Sequence, residues 1–470
     1  MTDPDGFVPD FAGTVWIDTL RGGGPVTTEF SGPGPWSLRG AGGGPDTILR
    51  PAPPDDRNWK DPRVGWGVIL PETAGLDAAA LATADDAPEP IKALVADRGG
   101  KVLRYRSGVP NRRWTVRNWS RPEDLTLATS PRGMGDGELP GYLLIVGDPE
   151  TIPWEVQFVL NSSRFVGRLD LPPDGLARYV EALMHCWPGS AADYRSPVLW
   201  SVDNGDGTSD ITTLMRRTVA EPLRAALTAD PDITEVSYLD GSTQAATGAA
   251  LIGALEQRRP ALILTTGHGQ TEYHGDPAAF LPRLGLPIDG DGKELDISDL
   301  LHTWAPDGAI WMAQACCSAG SNGRSSYDGL FPAGDPVGVA LQEVAALGSH
   351  VAPLPTALLG AAKPLRAFIG RVEPTFNWTL QFPTSRQALT ADLVAALYTG
   401  LCDEAPVGLA FESFFRPIGG LLQQQLRERK AYNTGNFNVA QNWAQYYKIC
   451  ALDRAGLVVL GDPTVAFPAP

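Results

Sequence analysis

Residues 308–321 read GAIWMAQACCSAGS and residues 261–269 read ALILTTGHG. Each is an apolar run that stops abruptly, one at Cys316 and Cys317 and the other at His268. A short apolar run closed by turn residues reads as a strand buried on both faces. Such a strand presents its last residue in the crevice at the carboxyl edge of its sheet. Cys316 follows His268 by 48 positions, enough for one crossover helix with its loops. Adjacent parallel strands joined in this way bring an imidazole and a thiol together.

Outward from this pair, the same alternation continues in both directions. Upstream, residues 197–202 (PVLWSV) form a strand that ends in DNGDGTSD, followed by a helical pattern over 211–227, a strand over 233–239 and a helix over 245–256. Further upstream lie a strand at 66–70 (WGVIL), Ala and Leu at helical spacing over 76–97, a strand and turn in 140–153 (PGYLLIVGDPETIP), a strand at 164–169 and a helix over 176–187. Downstream come a short helix at 297–304, the cysteine strand at 309–315, helix then turn over 337–349, Ala/Leu-rich and Gln-rich helical patterns over 384–430, and a strand at 456–460 before GDPT. This order predicts an α/β fold, a mostly parallel sheet with helices on both faces. Residues 1–60, rich in Gly and Pro, read as an irregular segment, 61–192 as a smaller N-terminal α/β lobe, and 193–470 as the domain that carries the cysteines and the histidine.

Charge and cysteine content bound the function classes. The 470 residues carry 38 basic and 54 acidic side chains, a formal net charge of −16, so no broad basic surface exists for nucleic acid or an anionic membrane. The first 16 residues show neither a basic stretch nor an apolar core of a leader, and no run approaches a membrane span, which points to a cytoplasmic protein. Five cysteines do not pair off into a disulfide framework, leaving thiols for chemistry.

A thiol nucleophile needs an imidazole to handle its proton and backbone donors for the oxyanion. The small residues after each strand end, Gly269 and then Ser318, Ala319 and Gly320, allow a substrate backbone to approach and leave N–H groups facing inward. Cys186, Cys402 and Cys450 sit in helical or apolar contexts and read as packing residues. DGDGKE at 289–294 lacks the full ligand spacing of a calcium loop and reads as a solvated turn. His274, His302 and His350 are isolated, and neither zinc spacing nor a phosphate-cradling glycine motif is present, so no metal or cofactor is expected.

With these residues in view, the chain from about Tyr142 onward resembles the caspase-like (clan CD) cysteine peptidases, in particular their gingipain-type and CHAT-type branches. TTGHG is similar to the histidine motif of that group and QACCSAG to its cysteine motif; LLIVGDPETIP, RFVGRLDL and LGDPT are also similar to gingipain-type chains. The resemblance implies a caspase-like fold with His268 and Cys316 as the catalytic pair. A polar-small-Cys reading selects Cys316, whereas a Cys-x-x-Gly reading selects Cys317 with Gly320. By the same resemblance Asp203 orients His268, and Asp210 lines a pocket for an Arg or, less readily, a Lys side chain. A plain Asp/Gly turn with Asp210 capping the helix at Ile211 is the competing reading. Gly269 and the nucleophile's own backbone would bind the substrate's oxyanion.

The function so implied is a cysteine endopeptidase acting on a protein substrate after a basic residue, of the kind activated in bacterial defence or cell death. An activating or regulatory protein is an expected partner, and Arg324, in the loop 322–336, is a self-cleavage candidate. Two other readings stand beside it: an inactive caspase-like scaffold that binds a protein, and a cysteine hydrolase or transferase acting on a non-peptide acyl group.

Overall fold

Runs of buried aliphatic residues become the strands, and polar caps start the helices between them. The computed structural model describes residues 53–108, 114–205, 210–273, 275–332, 334–433 and 437–467, so the irregular segment expected over 1–60 falls outside it up to residue 52. The strands are β1 (Trp66–Pro71), β2 (Lys101–Tyr105), β3 (Thr115–Asn118), β4 (Glu123–Thr126), β5 (Tyr142–Val146), β6 (Phe165–Leu169), β7 (Val198–Ser201), β8 (Ser237–Asp240), β9 (Leu262–Thr266), β10 (Ile310–Gln314), β11 (Gly320–Ser321), β12 (His350–Val351), β13 (Ala367–Arg371) and β14 (Leu457–Gly461). Twelve of them make one sheet in the order β4-β3-β2-β1-β5-β6-β14-β13-β10-β9-β7-β8, while β11 and β12 pair separately.

The sheet is mostly parallel and consists of two halves that run in opposite directions. β2, β1, β5, β6 and β14 share one direction. β13, β10, β9, β7 and β8 share the other. The single antiparallel joint between the halves is β13 against β14, with Ala367 opposite Gly461 and Arg371 opposite Leu457. The carboxyl ends of the two halves therefore open on opposite edges of the sheet. Because the last strand sits between β6 and β13, the sheet passes without a break through the boundary expected near residue 192.

Both faces are covered. Val68 and Leu144 enter a large cluster with Ile91 and Tyr179, whereas their chain neighbours Ile69 and Leu143 enter another with Val156 and Leu160. Every residue of β9 and β10 is buried, as expected of a strand with helices on either side. No helix among the described residues is long and apolar enough to cross a membrane.

Several elements differ from their sequence reading. The helix expected over 76–97 is two, Ala78–Ala82 and Glu89–Arg98, because Pro88 disfavours the helical region for Ala87 and restarts the chain at its own carbonyl. The strand expected over 233–239 is shortened to Ser237–Asp240. Strands β2, β3, β4 and β13 have no clear signal in the sequence; each carries charged residues that mask the apolar pattern. So does the long helix Phe437–Ala455, which packs back on Pro417–Asn433.

Candidate active site

β9 and β10 are paired in parallel with Thr266 opposite Gln314. His268 and Cys316 each stand two residues beyond that pair, on neighbouring strand ends at one edge of the sheet. The two loops approach closely at Gly269, where a β-carbon would lie 2.0 Å from the Cys316 carbonyl oxygen. Only glycine tolerates that distance, so the residue after the histidine is small because the cysteine backbone runs against it.

His268 is buried and fixed from two sides. Its carbonyl accepts the Ile288 N–H at 2.9 Å, and its Nε2 lies 3.1 Å from Asp210 Oδ2. Asp210 is the N-cap of the helix Ile211–Met215, accepting from the Thr212 N–H at 2.7 Å and the Thr212 hydroxyl at 2.6 Å. Burial alone would raise its pKa. The hydrogen bond and charge of His268, with both Thr212 donors, outweigh that and hold the carboxyl down at about 2.

Neither of the two expected acids stands where it was expected. Asp203, assigned to orient His268, instead pairs with Arg216 Nε at 2.7 Å, and accepts from the Thr213 hydroxyl and, at 3.2 Å, from the Gly205 N–H. Asp210, assigned to a specificity pocket, carries the carboxylate on His268. The reason is helical geometry: Arg216 projects from the helix that Asp210 starts and reaches back to the strand end, drawing Asp203 to itself.

The cysteines are both fully buried. Cys316 Sγ accepts the Thr375 N–H at 3.2 Å. Cys317 has φ 54°, a left-handed conformation rare for a side chain of this kind and characteristic of strained functional turns. That turn reverses the chain: the Gly320 N–H reaches the Cys317 carbonyl at 3.1 Å and the Ala319 N–H reaches the Arg371 carbonyl at 2.8 Å. Phe280, Leu284, Val344 and Leu347 share one buried cluster with both cysteines. Gly285, φ 67°, comes so near that a β-carbon there would lie 2.0 Å from the Cys317 carbonyl oxygen.

Beneath Cys316 is a buried polar group that sequence reading missed. Thr375 Oγ1 donates to Asp453 Oδ2 at 3.1 Å, and Thr379 donates to the same oxygen. Arg371, at the end of β13, pairs with Asp453 Oδ1 at 3.2 Å and reaches Gln314 Oε1 at 3.5 Å. Tyr327, buried beside Cys316, has its pKa pushed up by burial and by Asp453 and Glu373. Glu373 is also raised by burial, although its carboxylate accepts the Ser326 N–H at 3.0 Å. The available signal was a charged residue at the edge of an apolar run, Arg371 after AFIG and Asp453 before Arg454 in ICALDRAGLVV, since buried charges occur in partnered sets.

Asp289, in the turn read against calcium, accepts the N–H groups of Asp291 and Lys293, both at 2.9 Å, and that of Gly248 at 3.0 Å. No protein-family model matches the chain, and no curated protein matches it.

Proposed function

We propose that the chain is a cysteine endopeptidase of caspase-like fold, hydrolysing peptide bonds in a protein substrate. One observation carries the reading: His268, bonded to Asp210, and Cys316 stand at equivalent positions past two paired parallel strands. The strand order β8-β7-β9-β10-β13-β14, with only the last antiparallel, supports the same reading. In it, Asp210 holds a proton on Nε2, which leaves Nδ1 to exchange one with the thiol. The Cys316 thiolate attacks the scissile carbonyl, the Gly269 N–H stabilises the oxyanion, and His268 imidazolium protonates the departing amine. Water then hydrolyses the thioester and regenerates the thiol. Cys317, adjacent and buried, shapes the turn.

Two features refine the proposal. Asp210 is engaged by His268 and Asp203 by Arg216, so a preference for Arg or Lys has lost the carboxylate assigned to it. Both cysteines are fully buried, in one cluster with Phe280, Leu284, Val344 and Leu347, so an opening step precedes turnover. Binding of an activating protein, or cleavage in the loop that carries Arg324, would supply it. The same burial favours the second reading, a binding scaffold without turnover.

A panel of fluorogenic peptides with Arg, Lys, Asp or Asn at the cleaved position separates these readings. Wild type should turn over at least one, with or without added candidate partners, and Cys316→Ala should not. Loss in Cys317→Ala with retention in Cys316→Ala would move the nucleophile by one residue. No turnover by wild type in any arm would leave the scaffold, or a cysteine hydrolase or transferase acting on a non-peptide acyl group.

A further inference from the structure

The opposite edge of the sheet holds a second crevice that the cysteine chemistry does not use. In the first half, β1 has β2 on one side and β5 on the other. The chain thus leaves β1 in one direction and returns on its other side, the arrangement that opens a ligand crevice at the carboxyl ends of an α/β sheet. A cavity of about 240 Å³ lies there, between Pro71 at the end of β1, Val146 and Gly147 at the end of β5, and Leu169, Asp170 and Leu171 at the end of β6.

Its polar groups are unequal. Arg104 and Asp86 neutralise each other through bonds of 2.6 and 3.0 Å, and the Thr73 hydroxyl adds a third at 2.8 Å. Arg168, the cation nearest in sequence, makes its hydrogen bonds elsewhere: its guanidinium serves the Gly147 and Ile152 carbonyls at 2.9 and 2.7 Å and stacks on Trp154, while its charge still acts on Asp170. Asp148 is satisfied by the Glu150 and Thr151 N–H groups and the Thr151 hydroxyl. Asp170 is different. Half-buried at the cavity wall, it accepts no hydrogen bond from the described residues, and burial, with Asp148, pushes its pKa up against the opposing pull of Arg168 and His350. A carboxylate kept in such a place opposes folding when ionised, which is a common mark of a site retained for binding.

We propose that this crevice binds a single primary ammonium on a short aliphatic stem, with Asp170 as its counter-ion and Pro71, Val146, Leu169 and Leu171 around the stem. Size and charge choose the class. The volume falls below the roughly 300–1,000 Å³ usual for drug-sized ligands and cofactors, so it admits a group of side-chain dimensions and not a nucleotide. Three carboxylates, Asp86, Asp148 and Asp170, stand around two guanidinium groups, Arg104 and Arg168, so the balance of charge is negative, which disfavours phosphate and attracts a cation. Two sources carry that chemistry, a free aliphatic diamine and a lysine side chain of a polypeptide. The site is independent of the peptidase reading, since it lies on the other edge of the sheet.

Calorimetric titration of the full chain at neutral pH tests it with three probes: 1,5-diaminopentane, Nα-acetyl-lysine N-methylamide, and the neutral Nα-acetyl-norleucine N-methylamide. At least one ammonium probe should bind about tenfold or more tightly than the norleucine compound, as expected for one charge-assisted pair. Tighter binding of the lysine amide identifies a polypeptide as the source, and tighter binding of the diamine identifies a small molecule. Asp170→Asn should remove the preference for ammonium while raising the melting temperature at neutral pH, and Cys316→Ala should leave binding unchanged. Should the Asn variant fail to fold, wild type still decides: ammonium affinity must fall as pH is lowered through the Asp170 titration, with Asp86, Asp148, Arg104, Arg168 and His350 as the other charged or titratable groups nearby. Equal affinity for ammonium and norleucine probes, unchanged preference in Asp170→Asn, or no heat from either ammonium probe at millimolar concentration would overturn the proposal.

Discussion

Asp210 is where position, capping and charge meet in one side chain. Its folded pKa of about 2, against an ordinary 3.8, means the ionised form is favoured by folding. The contribution is present above pH 4 and is lost as pH falls through the folded value. A shift of this size corresponds to about 2 kcal/mol. Asp210→Asn should therefore lose about 2 kcal/mol in urea unfolding at pH 7 and almost nothing near pH 2; equal losses at both would show that the cap, not the charge, is what matters. In the peptidase reading the same substitution should also cut kcat by about 10² to 10⁴-fold, measured on any peptide that wild type cleaves. At Gly269 the argument is steric. Gly269→Ala places a methyl against the Cys316 carbonyl and should cost on the order of 1–3 kcal/mol in the same assay.

The helix Phe437–Ala455 ties distant segments of the chain to the thiol. Its Asp453 holds Arg371 of β13 and Thr375, whose N–H in turn meets Cys316 Sγ. Its Trp443 and Tyr446 pack with Phe382 and Trp378, in the same cluster as Phe376 and Tyr327. Removing one partner of a buried pair leaves the other uncompensated, so Asp453→Asn should destabilise by about 3–5 kcal/mol. In variants that still fold at low temperature, iodoacetamide should label Cys316 faster than in wild type, read by mass spectrometry of the tryptic peptide. Unchanged labelling would confine Asp453 to a structural role.

At the scale of the molecule, one sheet faces two ways. β14 is paired on both sides, with Val459 opposite Gly167 of β6 and Ile369 of β13. The seam is tight, because a β-carbon at Gly167 would lie 2.0 Å from the Gly461 carbonyl oxygen. Expressing 193–470 alone would expose a wholly buried strand as an edge, which invites pairing between copies. That fragment should aggregate, by size-exclusion chromatography, where the full chain does not; a monodisperse fragment would show that the halves fold separately.

What could be read without the structure follows from burial that is uniform along a strand. β1, β5, β9 and β10 announce themselves because both of their faces are covered, and His268 and Cys316 stand out because the apolar runs end at them. Asp203 and Asp210 were both legible as acids of one strand-end loop. Which of them reaches the histidine was not, because that depends on where Arg216 falls on the following helix. β13 and Asp453 were hidden for a related reason. A charged residue reads as solvent-facing until its partner is known, and Arg371 and Asp453, 82 positions apart, find each other only when the last helix folds back. Local periodicity encodes which residues are buried, whereas the choice of partner for a buried charge is made by packing between distant segments.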